Sequence, residues 1–109
     1  MAMAIVILES AEQDLRDLRA YIVKNFSSDI WVDTYAKLKK SMRDLRDFPL
    51  AGHMPEEIEK LNLSQYRQVI SGLNRIVYEV RQDGIYIHMI VDVRRDMNAL
   101  LMQRLLRGS

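Results

Sequence analysis

Apolar positions in this chain change their spacing three times, and each change marks a new element. Met3 to Leu8 is continuously apolar and rich in β-branched side chains, which predicts a buried strand. Ser10 opens the run Ser-Ala-Glu-Gln, a capping-box pattern that predicts a helix start. Ala11, Leu15, Leu18 and Ile22 then recur at helical spacing with charged residues between them, as far as about Asn25. After a short polar connection, Asn25 to Asp29, a second stripe follows: Trp31, Tyr35, Leu38, Met42 and Leu45. Two matched stripes across a short loop predict an antiparallel helical hairpin.

Asp47-Phe48-Pro49 ends the second helix, and Pro49 to Pro55, with Gly52 inside, reads as loop. Residues 56–63 fit either a short helical turn or irregular structure. Beyond them the period shortens to that of strands, at Tyr66 to Ile70, Arg75 to Arg81 and Ile85 to Val93. Asp83-Gly84 suits a two-residue hairpin turn. Asp96 then caps a last helix whose apolar face is Met97, Leu100, Leu101 and Leu105, ended by Gly108. The order β-α-α-β-β-β-α predicts an α+β fold, with the helical hairpin packed on a small, mainly antiparallel sheet.

With Asp83-Gly84 as the turn, Arg81 opposes Tyr86, Glu79 opposes His88, Val77 opposes Ile90 and Arg75 opposes Asp92. One face then carries Arg75, Glu79, Arg81, Tyr86, His88 and Asp92. The other carries Ile76, Tyr78 and Val80 against Val91, Met89 and Ile87, and must meet the helices. The charged face is either a solvated surface with ion pairs worth about 0.2–1 kcal/mol each, or a groove that receives a partner.

Composition narrows the function. The 109 residues suit one domain, and 49% of them are apolar, enough for a core without a staple. Cysteine is absent, which removes disulfides and thiol chemistry and fits a reducing cytoplasm. No apolar run approaches the ~20 residues of a membrane span. Sixteen basic against 15 acidic residues give a net charge of +1, too little basic excess for a protein devoted to non-specific DNA binding. The basic residues cluster late, however, at Arg94, Arg95, Arg104 and Arg107. His53 and His88 have no neighbours at metal-ligand spacing and no glycine-rich phosphate loop exists, so neither metal nor cofactor is expected.

The segment Tyr66-Arg67-Gln68-Val69-Ile70-Ser71-Gly72-Leu73-Asn74-Arg75-Ile76-Val77-Tyr78, continued by Asp83-Gly84 and Arg94-Arg95-Asp96, resembles the central signature of the ParE/RelE toxin superfamily of type II toxin–antitoxin systems. The likeness runs over nearly the whole chain. It implies a cytoplasmic toxin associated with plasmid stabilisation. A cognate antitoxin would neutralise it by wrapping it, in an assembly such as a heterotetramer of two toxins and two antitoxins.

The superfamily has two branches, ribosome-dependent messenger ribonucleases of the RelE kind and gyrase inhibitors of the ParE kind. The ribonuclease pattern would place Arg67, Arg75 and Arg95 around one phosphate. Its second strand position falls near Val69, and its C-terminal acid/base falls near Leu101, so the proton-transfer group is missing. Glu57, Glu59 and His53 are weaker substitutes. The stretch Arg94-Arg95-Asp96-Met97 resembles the ParE branch. The expected partners are therefore DNA gyrase and the antitoxin, with ribosome and messenger RNA as the alternative. A third reading is a degenerate toxin that only binds. The residues expected to contact target or antitoxin are Arg75, Arg81, Tyr86, His88, Arg94, Arg95 and Met97.

Overall fold

The computed structural model describes residues 3–54 and 65–104. In chain order the elements are β1 (Ala4–Ile7), α1 (Glu9–Asn25), α2 (Ser28–Asp47), β2 (Tyr66–Ser71), β3 (Asn74–Arg81), β4 (Gly84–Asp92) and α3 (Met97–Arg104). This is the expected α+β order. Residues 56–63, Leu105 and Gly108 lie outside the described residues, as does the side chain of Met97. The four strands form one sheet in the order β1-β4-β3-β2. The β1–β4 pair is parallel and the other two pairs are antiparallel.

The helical hairpin packs on one face of that sheet. Leu38, Met42 and Leu45 of α2 and Ala11 of α1 meet Ile76, Tyr78, Ile85, Ile87 and Ile90. Trp31 stays at the rim instead of joining this core, stacked on Tyr35 at 5.2 Å. Ser27 caps α2 by accepting from the Ile30 N–H at 3.1 Å. Ser10 does not cap α1. That helix begins a residue earlier, at Glu9, and Leu8 precedes it with no side-chain cap.

The β3–β4 hairpin differs from the expected register in two ways. The turn is Gln82-Asp83, with Arg81 opposite Gly84 and Glu79 opposite Tyr86. Gly84 serves a different need. A Cβ there would lie 2.8 Å from the Ala4 carbonyl oxygen, so the glycine lets β4 approach β1. The left-handed glycine of this sheet is Gly72 (φ 60°), which opens the Gly72-Leu73 turn between β2 and β3.

The second difference is a β-bulge. Tyr78 pairs with Ile87, but Val77 pairs with Met89, so His88 is an extra residue on β4. Beyond it the strand has exchanged faces. Ile90 points to the helical hairpin, while Met89 and Val91 point to the other side. The second face is therefore charged only in part. Its apolar centre is Tyr66, Val77, Met89 and Val91, and α3 covers it with Leu100 and Leu101. Asp96 caps α3 by accepting from the Ala99 N–H at 3.2 Å. The expected Arg75–Asp92 pair does not form, because the shifted turn and the bulge together set Arg75 against Val91.

The bulge lies where β4 outruns β1. Leu8 N–H gives the last bond to the Ile87 carbonyl, at 3.1 Å. From there α1 takes over as the neighbour. Ser10 Oγ donates to the His88 carbonyl at 3.1 Å, and the Ile90 N–H donates to Asp14 Oδ2 at 3.0 Å. Arg104 of α3 then reaches Asp14 with two bonds of 2.8 and 2.6 Å and also donates to the Ser10 carbonyl at 3.2 Å. Burial raises the Asp14 carboxyl above its usual range, against the opposing pull of Ile90 N–H and Arg104. The charged form is thus held by its partners at a desolvation cost.

Arg104→Ala should destabilise the fold by about 3 kcal/mol, because it leaves a mostly buried carboxylate without its cation. Adding Asp14→Asn should recover much of that loss. Urea unfolding of the two single variants and the double variant checks this, and additive losses would contradict it.

Candidate partner-binding groove

The α1–α2 connection stands across from the Gly72-Leu73 turn and the end of β4. Between them opens a groove of about 730 Å³. Leu18, Tyr21 and Ile22 of α1, Phe26 of the connection and Ile30 of α2 form one wall. The Gly72-Leu73 turn and the end of β4 form the other, with Arg94 and Arg95 beside it. Three of the large apolar side chains are more than half exposed: Tyr21 (53%), Phe26 (61%) and Leu73 (66%). Tyr21 and Phe26 touch edge to face at 6.2 Å. An exposed apolar cluster with a polar rim is the usual mark of a binding surface.

Charge is divided across the groove. Asp14 and Asp17 stand on the α1 side, and Lys37, Arg94 and Arg95 supply the cations. Arg94 folds back on Asp92 in a bidentate pair, Nε–Oδ1 2.9 Å and Nη2–Oδ2 2.9 Å. Its own backbone N–H also donates to Asp92 Oδ1 at 2.7 Å. The Arg94 hydrogen bond holds the Asp92 carboxyl below its usual range. Arg94 and Arg95 both line the groove.

A second cluster occupies the hairpin end of the sheet. Glu79 Oε1 receives Arg81 Nε at 2.9 Å and His88 Nε2 at 3.0 Å. The Arg81 guanidinium lies 4.0 Å over the Tyr86 ring, and Tyr86 donates to Asp83 at 2.9 Å. Tyr66 meets the His88 ring edge-on at 4.9 Å. Burial lowers the pKa of His88, and the Glu79 contact only partly offsets it. For Glu79 burial acts upward, but the bonds from Arg81 and His88 outweigh it and leave the carboxyl below its usual range.

The residues singled out from the sequence thus separate into distinct places. Arg81, Tyr86 and His88 gather at the hairpin, and Arg94 and Arg95 at the groove. Arg75 lies on the same sheet face as His88. Its Nη2 donates to the Val93 carbonyl at 2.8 Å and its Nη1 to Gln68 Oε1 at 3.4 Å, while its buried Nε has no partner among the described residues. Arg67 pairs with Tyr78 across the ladder and so lies on the opposite face, donating to the Gly52 carbonyl at 2.8 Å. Leu101, where the acid/base of a ribonuclease would fall, is fully buried. Met97 opens α3.

The apolar groove wall did not emerge from the sequence. Its signal was present as departures from the stripes. Tyr21 lies beside Ile22 off the α1 stripe, Phe26 interrupts a polar connection, and Leu73 stands in a turn. Among the described residues no group of three or more metal-ligating side chains gathers, and no helix is long and apolar enough to cross a membrane.

His88 makes the stability depend on pH in a defined direction. Its folded pKa is lower than its unfolded one, so the stabilisation is present above about pH 6.5 and is lost as pH falls through the folded value. Unfolding free energies measured between about pH 7.5 and about pH 5 should fall with acidification in the parent chain, and less steeply in His88→Gln. Equal slopes would contradict the assignment.

Comparison with known proteins places this geometry. No curated protein sequence matches the chain. The fold is similar to that of a solved chain described as the chromosomal ParDE TA system from P. aeruginosa. The TM-score is 0.70 over 84% of this chain and 96% of that one, at 15% identity, which establishes a likeness of fold. The family model described as the ParE toxin of the type II toxin–antitoxin system parDE matches residues 5–99, from β1 into α3. The chain belongs to the ParE toxin family of type II toxin–antitoxin systems.

Proposed function

We propose that this ParE-family toxin acts by docking on DNA gyrase and trapping it on cleaved DNA, and that its cognate antitoxin neutralises it by covering the same surface. The observation that carries this reading is the separation of the arginines. A metal-free ribonuclease needs cations and an acid/base converging on one phosphate. Arg67 and Arg75 stand on opposite faces of the sheet, and the acid/base position is a buried leucine. The groove is the alternative surface. Exposed aromatic and aliphatic side chains, flanked by Arg94 and Arg95, are the composition of a protein interface. Pairing of two toxins with two antitoxins in one assembly accords with this use.

One observation favours the ribonuclease reading. His53 and Arg75 both reach Gln68, at 3.5 and 3.4 Å, which puts an imidazole and a guanidinium on one stretch of sheet. Those bonds are long, and the Arg75 fork is already given to Val93 and Gln68.

Supercoiling by purified gyrase, with increasing toxin and with or without ATP, decides between the two. Near-stoichiometric inhibition with accumulation of cleaved DNA is expected. Leu73→Glu and the double variant Arg94→Glu/Arg95→Glu should each need about tenfold more protein for the same effect. Unimpeded supercoiling beside folded toxin, with ribosome-bound messenger cleaved and that cleavage lost in Arg75→Ala, would overturn the proposal.

A further inference from the structure

A second open surface lies at the opposite edge of the fold from β2 and is independent of the groove. Among the described residues β1 is the outer strand of the sheet and pairs only with β4. In a parallel ladder alternate residues turn their backbone groups to alternate sides. Leu8 N–H turns inward to Ile87, and the Met3 carbonyl turns outward to Arg46 Nε at 3.2 Å. Ile5 and Ile7 therefore present their N–H and C=O groups outward, and among the described residues nothing pairs with them. Such an edge is a template for another strand.

Beside this edge is a shallow groove of about 400 Å³ between β1 and α2. Ile5, Ile7, Tyr35 and Met42 form its apolar floor, and Lys39 and Arg43 stand on its rim. The neighbouring Lys37 and Lys40 are neutralised by Asp33 and Asp44. Lys39 lies over the Tyr35 ring at 4.7 Å, and neither Lys39 nor Arg43 has a carboxylate partner among the described residues.

We propose that the β1 edge and this groove form a binding site for an extended peptide segment carrying carboxylates. The segment adds to the sheet as a fifth strand, giving backbone hydrogen bonds to Ile5 and Ile7. Its side chains on the helix-facing side alternate between apolar residues, which enter the groove, and acids, which meet Lys39 and Arg43. Strand addition of this kind takes affinity from the main chain and specificity from alternate side-chain pockets. Charge excludes the simplest competitor. A second copy pairing β1 to β1 would bring two basic rims together, and charges on an edge are a recognised guard against self-association.

The test uses the full chain and the synthetic peptide acetyl-Val-Thr-Glu-Thr-Val-Thr-Glu-amide, with valine and glutamate on one side. Nuclear magnetic resonance titration should show saturable binding, with the Ile5 and Ile7 amides shifted and newly protected from exchange. N-methylation of the peptide at the nitrogens facing β1 should abolish binding, which requires no change to the protein. The exposed charge reversals Lys39→Glu and Arg43→Glu together should weaken binding about tenfold and favour the peptide with lysine in place of glutamate. Absence of binding, equal binding of acid and lysine peptides to the parent chain, shifts confined to Tyr21 and Leu73, or self-association through β1 would each overturn the proposal. None of these outcomes depends on gyrase.

Discussion

β4 runs on after β1 has stopped, and the molecule must satisfy the edge it leaves bare. A buried peptide group without a partner costs about 1–3 kcal/mol, so a strand edge covered by a helix has to be satisfied by the side chains of that helix. Ser10 and Asp14, one helical turn apart on α1, meet this need by bonding the His88 carbonyl and the Ile90 N–H. Both lie in the stretch of β4 that contains the bulge. Arg104 closes the arrangement from the far end of the chain, so the position of α3 is tied to the same two residues.

The bulge decides which face each late side chain of β4 takes. Without it, Met89 and Val91 would enter the helical core and Ile90 would face α3. With it, the sheet has a large core under the hairpin and a smaller one under α3. The functional reading depends on the same partition. Arg67 and Arg75 cannot share a phosphate when the ladder sets them on opposite faces, and α3 occupies the apolar middle of the second face with Leu100 and Leu101. One cluster of exposed apolar side chains remains where the hairpin connection opens beside the Gly72-Leu73 turn.

Much of this was legible in the sequence. The element order, the helical hairpin, the Leu38-Met42-Leu45 stripe and the Asp96 cap all follow from local spacing. The Glu79–His88 contact forms too, although the register that suggested it does not, since Glu79 stands opposite Tyr86. Two of the errors share one cause. Ser10 and Gly84 have strong local signatures, a cap and a turn glycine, but each is used for a long-range contact, with β4 and with β1 respectively. A bulge has no local signature here, because either register buries isoleucine and valine and the tally of apolar side chains scarcely changes. The site was less legible than the fold. Arginines announce themselves in a sequence, whereas Tyr21, Phe26 and Leu73 only stand off the apolar stripes, and it takes the packing to gather them on one surface.

The most direct test of this account is amide exchange at Ile90. Among the described residues no strand neighbours β4 on that side, and the Ile90 N–H donates to the Asp14 carboxylate at 3.0 Å. The Ile90 amide should exchange as slowly as the central amides of β3, and Asp14→Ala should speed it selectively while Ile76 and Tyr78 stay protected. Fast exchange at Ile90 in the parent chain, at the rate of an exposed turn, would contradict the claim that α1 completes the edge of the sheet.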